Sequence, residues 1–246
     1  MTRTRHLDKA PITEAIIDFR AQLPDTFRVQ EFEPLQDVLV EAYPITEKQK
    51  LYEGGFRLSG EQLSQTTQDK GVHGFIFKNE EQGRVAQFRR NGFTFNKLKP
   101  YTDWKDVFAE AWRLWLEYAA IAKPLTVTRV AVRYVNRITV PRTFAFPEYF
   151  TDPPTLPDDL PQTFSDYFKR VVINDAERGL LVNVIQAIER QQDSDTVVFL
   201  LDIDAYAQEE HEPGSSELEP RFQQLRVLKN QVFFGCITDK TAEMFE

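Results

Sequence analysis

Apolar and polar residues alternate along this chain with two different periods, and each period predicts a type of element. A period of two predicts a strand over residues 13–23, and a period near 3.6 predicts a helix over residues 30–43. Pro34 fits the first turn of that helix, and Pro44 ends it. Further strands are predicted over residues 51–58, 72–78, 84–90 and 93–98.

The dipeptide Asn91-Gly92 joins the last two of these strands. Because Asn and Gly both accept positive φ angles, this pair predicts a hairpin closed by a type I′ turn. A helix from Asp103, its N-cap, to about residue 122 comes next, and it carries all three tryptophans of the chain. We expect these tryptophans to anchor the core, with ligand stacking as the alternative.

A long strand over residues 125–140 follows the tryptophan helix. Residues 141–164 then contain six prolines, which predicts an extended or turn-rich crossover, because each proline fixes φ and removes a donor. Three strands (164–173, 179–189 and 196–206), an acidic mobile loop (207–219), a helix (218–232) and a short last helix from Thr238 complete the predicted order. His211 lies in the acidic loop and is expected to be solvated.

Consecutive strands with short links favour antiparallel pairing, and helices grouped apart from strand runs indicate an α+β fold. We expect mainly antiparallel sheet with three main helices packed on it. The predicted parts are residues 1–140, the crossover 141–163 and residues 164–246, within one compact unit. Each half is a meander closed by a helix, so the halves are possibly similar, although no residue-level repeat connects them.

Charge and composition narrow the classes of partner. With 30 Lys and Arg against 38 Asp and Glu, the net charge of −8 makes nonspecific nucleic-acid binding unlikely. No segment is long and apolar enough for a signal peptide or a membrane span, so we expect a cytoplasmic protein with no membrane association. The single cysteine, Cys236, excludes an intramolecular disulfide.

Familiar catalytic patterns are missing from the sequence. It has no phosphate-binding glycine loop, no dinucleotide fingerprint and no nucleophile elbow. The three histidines, His6, His73 and His211, lie in different neighbourhoods and lack helical metal-ligand spacing. No catalytic residue and no cofactor are predicted, and whether the protein is an enzyme stays open, with the balance towards a non-enzyme.

The best candidate for a binding site is the long strand LTVTRVAVRYVNRITV. Alternation places Arg129, Arg133 and Arg137 on one face, with the first and last about 26 Å apart at about 3.3 Å per residue. Guanidinium groups suit phosphate or carboxylate recognition, but acidic neighbours could equally satisfy them. Asn136 of the same strand and Arg89 and Arg90 beside the hairpin turn complete the candidate set.

A second candidate is the pair Asp202 and Asp204 in FLLDID, which strand spacing places on one face. Two such carboxylates can hold a divalent metal, although a third carboxylate and a phosphate loop are missing. Pairing with the arginine face is the favoured alternative, because both surfaces would be sheet faces of opposite charge.

Five segments, in the order APITEAIIDFR, WKDVFAEAW, VTRVAVRYVNRI, FLLDID and LKNQVFFGCITD, resemble a sporadically distributed bacterial family of uncharacterised proteins of about 250 residues. The resemblance covers nearly the whole chain, and RYVNRI and LLDID are its signature. It implies no activity and no catalytic residue. Its patchy occurrence implies a link to bacterial mobile or defence genes.

Three functions remain open. The favoured one is a non-enzymatic interaction or accessory protein with a protein partner or a second copy, for which Phe144, Phe146, Tyr149 and Phe150 offer an adhesive surface unless they pin the crossover to the core. The alternatives are an anion- or nucleotide-binding module that uses the arginine face, and a metal-dependent phosphoryl-transfer enzyme that uses the two aspartates.

Overall fold

The computed structural model describes residues 7–59, 62–161, 166–189 and 195–246. His6 and Phe164, which enter the expectations above, lie outside these residues.

Within these described residues, nine strands form one antiparallel sheet. They are β1 (Ile12–Gln22), β2 (Ile45–Ser59), β3 (Gln62–Asn79), β4 (Arg84–Arg89), β5 (Gly92–Leu98), β6 (Thr126–Pro141), β7 (Phe168–Asp175), β8 (Leu180–Glu189) and β9 (Thr196–Ala207). Their order across the sheet is β2-β3-β4-β5-β1-β6-β9-β8-β7. The predicted α+β class with antiparallel pairing is therefore confirmed.

The helices are α1 (Leu35–Leu39), α2 (Trp104–Ala122), α3 (Phe146–Tyr149), α4 (Leu218–Cys236) and α5 (Asp239–Glu243), with a 3₁₀ turn at Val29–Phe32 before α1. The two long helices, α2 and α4, share one side of the sheet. Phe19 of β1 contacts both, since its ring stacks on Trp115 with centroids 4.3 Å apart and lies 4.8 Å from Phe222. Among the described residues, no helix is long and apolar enough to cross a membrane.

Helix α2 confirms two predictions, that Asp103 is its N-cap and that its tryptophans anchor the core. The Asp103 carboxylate accepts a hydrogen bond from the backbone N–H of Asp106 at 2.8 Å, which satisfies one of the free donors of the first turn. Trp104 and Trp115 are buried, and Trp112 is partly buried against the same core. The tryptophans therefore anchor the core, as expected.

The helix predicted over residues 30–43 is wrong in extent. The chain forms the 3₁₀ turn, breaks at Glu33 and Pro34, and resumes as the five-residue α1. In a continuous helix from residue 30, Pro34 would lack the N–H that bonds to the carbonyl of residue 30, and its ring would clash with that carbonyl. The proline therefore starts a new helix instead of extending the old one.

The hairpin of β4 and β5 is confirmed, but its turn type is wrong. Arg89 pairs with Gly92, so the two turn residues are Arg90 and Asn91, and Asn91 does not adopt a positive φ. Gly92 is required for another reason. Its φ is 138°, and an added Cβ would lie 2.0 Å from the carbonyl oxygen of Phe19, because β1 packs directly beside it.

The two halves of the sheet have the same topology. From the central β1–β6 pair outwards, one half runs β1, β5, β4, β3, β2 and the other runs β6, β9, β8, β7. In each half the first strand is central, the last strand of the meander is its neighbour, and a long helix follows the meander. The division of the chain at residues 141–163 stays a prediction, and the sheet continues across the central pair.

The proline-rich crossover is attached to the core through its aromatic residues. Phe150 is 1% exposed and its ring centroid lies 3.9 Å from that of Phe199, while Phe146 and Tyr149 are also buried. These rings therefore pin the crossover instead of forming an adhesive surface.

The prediction that His211 is solvated is wrong. Its side chain is only 9% exposed, and its backbone bridges to Val127 of β6.

Candidate functional site

Strand β6 separates two chemically different surfaces. Its odd-numbered residues from Arg129 to Arg137 point to the open side of the sheet, and its even-numbered residues from Val130 to Val140 are buried on the helix side. This alternation follows from the period of a strand and agrees with the sequence expectation. Each surface contains basic groups, so the partners of those groups decide which surface is available to a ligand.

Asp18 of β1 is the centre of an ion-pair ladder on the open side. Its carboxylate accepts hydrogen bonds from Arg89 and Arg129, each at 3.1 Å, and from the Thr94 hydroxyl at 2.6 Å. Arg129 continues the ladder to Asp204 of β9 at 2.8 Å. Asp18 is only 7% exposed, because the basic side chains lie over it.

Arg133 forms the next rung with Asp202. Its Nε and Nη2 atoms donate to the two carboxylate oxygens at 2.8 and 2.6 Å, the bidentate geometry that suits a planar guanidinium. The hydrogen bond to Asp202 raises the pKa of Arg133. Burial raises the pKa of Asp204, against the opposing effect of Arg129 and Arg133.

The predicted pairing of the arginine face with Asp202 and Asp204 is therefore present for two of the three arginines. Arg137 lies further along β6 and pairs instead with Glu189 of β8 at 3.1 Å, where both side chains are exposed. The ladder thus passes from a buried centre at Asp18 to a solvent-exposed end at Arg137.

Two of the predicted binding residues do not join the ladder. Arg90 lies in the hairpin turn and donates to the carbonyl oxygen of Phe27 at 2.8 Å. Asn136 has even parity and is buried on the helix side, where its amide donates to the carbonyl oxygen of Leu201 at 2.9 Å. Asn136 therefore does not share a face with the arginines, because neighbouring strand residues face opposite ways, and its role in binding stays a prediction.

Both aspartates that could hold a metal are occupied by guanidinium groups. Within the described ranges, no group of three or more His, Cys, Asp or Glu side chains has a geometry that could hold a metal ion. Metal binding at Asp202 and Asp204 stays a prediction, and removing their arginine partners would be its first requirement.

A cavity of about 720 Å³ opens on the helix side, between α4, the first residues of β1, and the segment that joins β5 to α2. Aromatic rings, two amides and charged groups line it. Among the described lining residues, Lys9, Lys99, Arg226 and Lys229 carry positive charge and Asp8 and Asp103 carry negative charge, a difference of 4 − 2 = +2. The Asp103 carboxylate is already engaged as the N-cap of α2.

Lys229 is the unusual residue of this cavity. It is 7% exposed, and its ammonium group lies over the ring of Tyr134, 3.6 Å from the centroid. No carboxylate or hydrogen-bond acceptor in the described part of the chain contacts it. Burial, with Arg226 as a second cause, lowers the pKa of Lys229 well below its usual value.

The surroundings of Lys229 keep it unpaired. Arg226, one turn earlier on α4, lies over the ring of Trp104 at 5.3 Å and has no ion-pair partner among the described residues. The Tyr134 and Tyr101 hydroxyls bond to each other at 2.9 Å, and burial raises the pKa of both. The two phenols therefore remain neutral and give Lys229 no negative charge.

Lys97 shows what a satisfied buried lysine is like in the same protein. It is 5% exposed, and its ammonium donates to the carbonyl oxygens of Gln82, Leu98 and Pro100 at 2.9, 2.9 and 2.6 Å. Three acceptors match the three donors of an ammonium. In place of three acceptors, the Lys229 ammonium contacts the face of the Tyr134 ring, and it lies beside the open cavity.

The sequence contains a signal for Lys229, although the apolar pattern of α4 alone does not single it out. Leu218, Phe222 and Leu225 form the apolar stripe of α4, and the next position of that stripe is residue 229. A lysine on a buried stripe is an exception to the pattern and marks a position to examine. Which cavity it faces depends on the packing of α4 against β6, which one chain's periodicity does not give.

Comparisons with protein-family models, with curated proteins and with solved structures find no match to this chain. The resemblance carried by RYVNRI and LLDID therefore stays a prediction, and the functional argument rests on the geometry of the two surfaces.

Proposed function

We propose that this protein binds a small organic anion, a carboxylate or phosphate joined to an apolar or aromatic body, in the cavity beside Lys229. The observation that carries this proposal is a buried ammonium group that faces a cavity and has no anionic partner in the described part of the chain. A buried charge is strongly unfavourable unless it is paired. An anion in the cavity would supply the missing partner.

Position and charge define where the anionic group would bind. Lys229 and Arg226 lie one turn apart on α4, and both contribute to the cavity wall. An anion between them would accept hydrogen bonds from an ammonium and a guanidinium, the stronger, charge-assisted type. Asn136 and Asn230 of the same wall provide neutral polar groups that can orient the ligand.

Size and lining define the body of the ligand. The cavity volume falls within the range of about 300–1,000 Å³ that is usual for small-molecule sites. Trp104, Tyr101 and Phe233 contribute ring surface to the wall. An inorganic ion would leave these rings in contact with water, so a ligand with an apolar or aromatic body fits better.

The arginine face supports the same class of ligand less well. Arg129 and Arg133 are held by Asp18, Asp204 and Asp202, so an anion there would have to displace carboxylates that are already hydrogen-bonded. The sequence offers anion binding on the arginine face as an alternative. We propose instead that the anion binds on the opposite side of β6, in the cavity beside Lys229.

Isothermal titration calorimetry with benzoate and phenyl phosphate tests the proposal, with benzamide and phenol as uncharged counterparts. We expect at least one anion to bind, its uncharged counterpart to bind at least about tenfold more weakly, and Lys229→Met to lose the difference. The comparison of benzoate with phenyl phosphate distinguishes carboxylate from phosphate recognition.

The matched control is Arg133→Gln, which removes a basic group from the opposite face of the sheet. Anion binding that survives in Arg133→Gln and is lost in Lys229→Met supports the cavity. Anions that bind equally to wild type and Lys229→Met, or fail to bind at all, contradict it.

A second candidate function is that of an interaction protein, the favoured expectation from the sequence. The observation that favours it is the outer strand β7, which in the described part of the chain pairs with β8 alone and exposes Phe168, Val171, Val172 and Ile173 by 69, 40, 47 and 44%. Exposed apolar residues on an unpaired sheet edge are typical of strands that pair with another chain. The link to mobile or defence genes rests on the family resemblance alone.

A further inference from the structure

We infer that two copies of this chain associate through their β7 strands, edge to edge and antiparallel, with Val172 on the two-fold axis. The inference goes beyond anion binding and gives the second candidate function, on which it rests, a specific partner. It depends on the exposure of β7, on its sequence and on the pairing rules of strands.

Strand β7 is an open edge with apolar residues on both of its faces. Val171 and Ile173 point to the helix side, and Phe168 and Val172 to the open side, as their pairing with β8 shows. Edge strands of stable monomers are usually short, bulged or heavily charged, because their unpaired N–H and C=O groups attract other strands. This edge is eight residues long, and its registered pairs with β8 run without a shift.

Symmetry restricts the pairing to a few registers. A two-fold axis perpendicular to the sheet pairs each residue with one of the same parity, because side chains of a cross-strand pair share a face. Centring the axis on Val172 places Val171 opposite Ile173 of the second copy and Arg170 opposite Asn174. It also places Lys169 opposite Asp175, and symmetry makes each of these pairs occur twice.

Charge complementarity selects this register. Moving the axis to Val171 places Lys169 opposite Ile173, and moving it to Ile173 places Val171 opposite Asp175, so each neighbouring register sets a charge against an apolar residue. Opposite charges across a strand pair are favourable and unmatched charges are not. Lys169 alone would discourage pairing at this edge, but opposite Asp175 it specifies one register.

The charged groups of β7 remain accessible for this role. Among the described residues, the Lys169 ammonium forms an ion pair with the exposed Asp152 carboxylate, and the Asp175 carboxylate pairs with the Arg178 guanidinium at 3.4 Å and accepts a hydrogen bond from the Arg178 backbone N–H at 3.3 Å. The side chains of Lys169, Asp152 and Arg178 are 34, 58 and 43% exposed and that of Asp175 is 21% exposed, so the pair of Lys169 with Asp152 is a weak one at the surface and Asp175 is only partly exposed. Lys169 can therefore exchange Asp152 for an intermolecular partner with little loss.

Sedimentation velocity of the full chain over a wide concentration range tests the association. We expect a reversible dimer in the wild type and a dissociation constant raised roughly tenfold or more in Lys169→Asp and in Asp175→Lys, because each variant sets like charges opposite each other twice. The double variant Lys169→Asp/Asp175→Lys restores opposite charges and should recover the dimer. Asp152→Ala controls for loss of the pair within one chain.

Disulfide trapping tests the register independently. In a Cys236→Ser background, Val172→Cys places two thiols opposite each other across the axis, within the Cα separation that a disulfide tolerates. Val171→Cys places its thiols two residues out of register, beyond that separation. The inference is supported if Val172→Cys forms the intermolecular disulfide and Val171→Cys does not.

A wild type that is monomeric at every concentration, a double variant that fails to recover, or equal cross-linking at residues 171 and 172 overturns the inference. None of these results touches anion binding, which the calorimetric titration measures separately. The two proposals therefore fail independently.

Discussion

The two sides of strand β6 treat positive charge in opposite ways. On the open side, Arg129 and Arg133 each meet a carboxylate of a neighbouring strand, and the ladder extends through Asp18 to Arg89. On the helix side, Lys229 lies over Tyr134 with no such partner among the described residues. The basic residues that are conspicuous in the sequence are thus held by carboxylates of the sheet, and the cation that we propose for ligand binding, Lys229, lies on the apolar stripe of α4.

This difference has a physical origin in how each surface is built. Cross-strand neighbours on a sheet lie about 5 Å apart in fixed register, so opposite charges on adjacent strands meet almost automatically. A helix packs on a sheet through apolar contacts, and a cation on that interface meets a carboxylate only if one is placed there. Substitutions on the two surfaces should therefore differ in their effect on stability, according to whether the charge that is removed has a partner.

The largest effect is expected at Asp18, where the ladder converges. Asp18→Asn keeps the size of the side chain but removes the buried negative charge that the partly buried Arg89 and Arg129 share, and Arg89 is left without a carboxylate among the described residues. Breaking a buried ion pair typically lowers the free energy of unfolding by about 3–5 kcal/mol, and we expect a loss in this range from chemical denaturation. Asp37→Asn on the exposed side of α1 is the control, and equal losses in the two variants would disprove the role of the ladder.

The two buried lysines give a matched pair with opposite outcomes. Lys97→Met leaves the carbonyl oxygens of Gln82, Leu98 and Pro100 without their donor, and should lower the free energy of unfolding by about 1–3 kcal/mol. Lys229→Met removes a buried amine that has no carboxylate or carbonyl partner among the described residues, and a Met side chain can still pack on the Tyr134 ring, so stability should stay constant or increase. Comparable destabilisation of both variants in urea unfolding would refute the contrast.

The pH dependence of stability provides a further distinction between wild type and Lys229→Met. Because burial lowers the pKa of Lys229 below its usual 10.5, the unfolded chain binds a proton that the native protein has released, over the interval between the two values. Stability rises with pH wherever the unfolded state binds more protons. Wild type should therefore gain stability relative to Lys229→Met as pH rises towards 10.5, in thermal unfolding without ligand. A constant difference would contradict the lowered pKa.

The smallest effect is expected at the exposed end of the ladder. Arg137 and Glu189 form an ion pair whose side chains are 49 and 36% exposed, and such pairs contribute about 0–1 kcal/mol. Arg137→Gln should change the free energy of unfolding by no more than that, and still less at high salt. A loss as large as that of Asp18→Asn would mean that the ladder acts as one unit along its whole length.

Much of this fold follows from local patterns in the sequence. The parity of β6 and β9 is visible in their alternation, which is why the pairing of the arginine face with Asp202 and Asp204 is predictable before the structure. The contact of Asp18 with Arg129 is not predictable in this way. Strand β1 precedes β6 by more than a hundred residues, and their pairing depends on the strand order of the sheet, which alternation does not give. Sequence periodicity gives the face of a residue but not the strand next to it.

The candidate cavity depends even more on tertiary packing. Its lining residues come from four separate segments, within residues 7–12, 99–104, 134–136 and 226–234, so no single stretch of sequence contains it. Two predictions of local structure are wrong for local reasons. The helix predicted over residues 30–43 is interrupted at Pro34, although its apolar pattern continues. The turn between β4 and β5 lies one residue earlier than predicted, because β1 packs so closely on residue 92 that only glycine fits there. In each case a steric demand overrides a periodic one.

The central claim, that Lys229 is a buried cation awaiting an anion, can be tested by NMR titration of the lysine Nζ and Cε resonances, with and without the better-binding of benzoate and phenyl phosphate. The account predicts one lysine, absent from Lys229→Met, that titrates well below the exposed lysines and whose pKa rises when the anion binds. If Lys229 titrates together with the exposed lysines and the anion leaves its pKa unchanged, the account is contradicted.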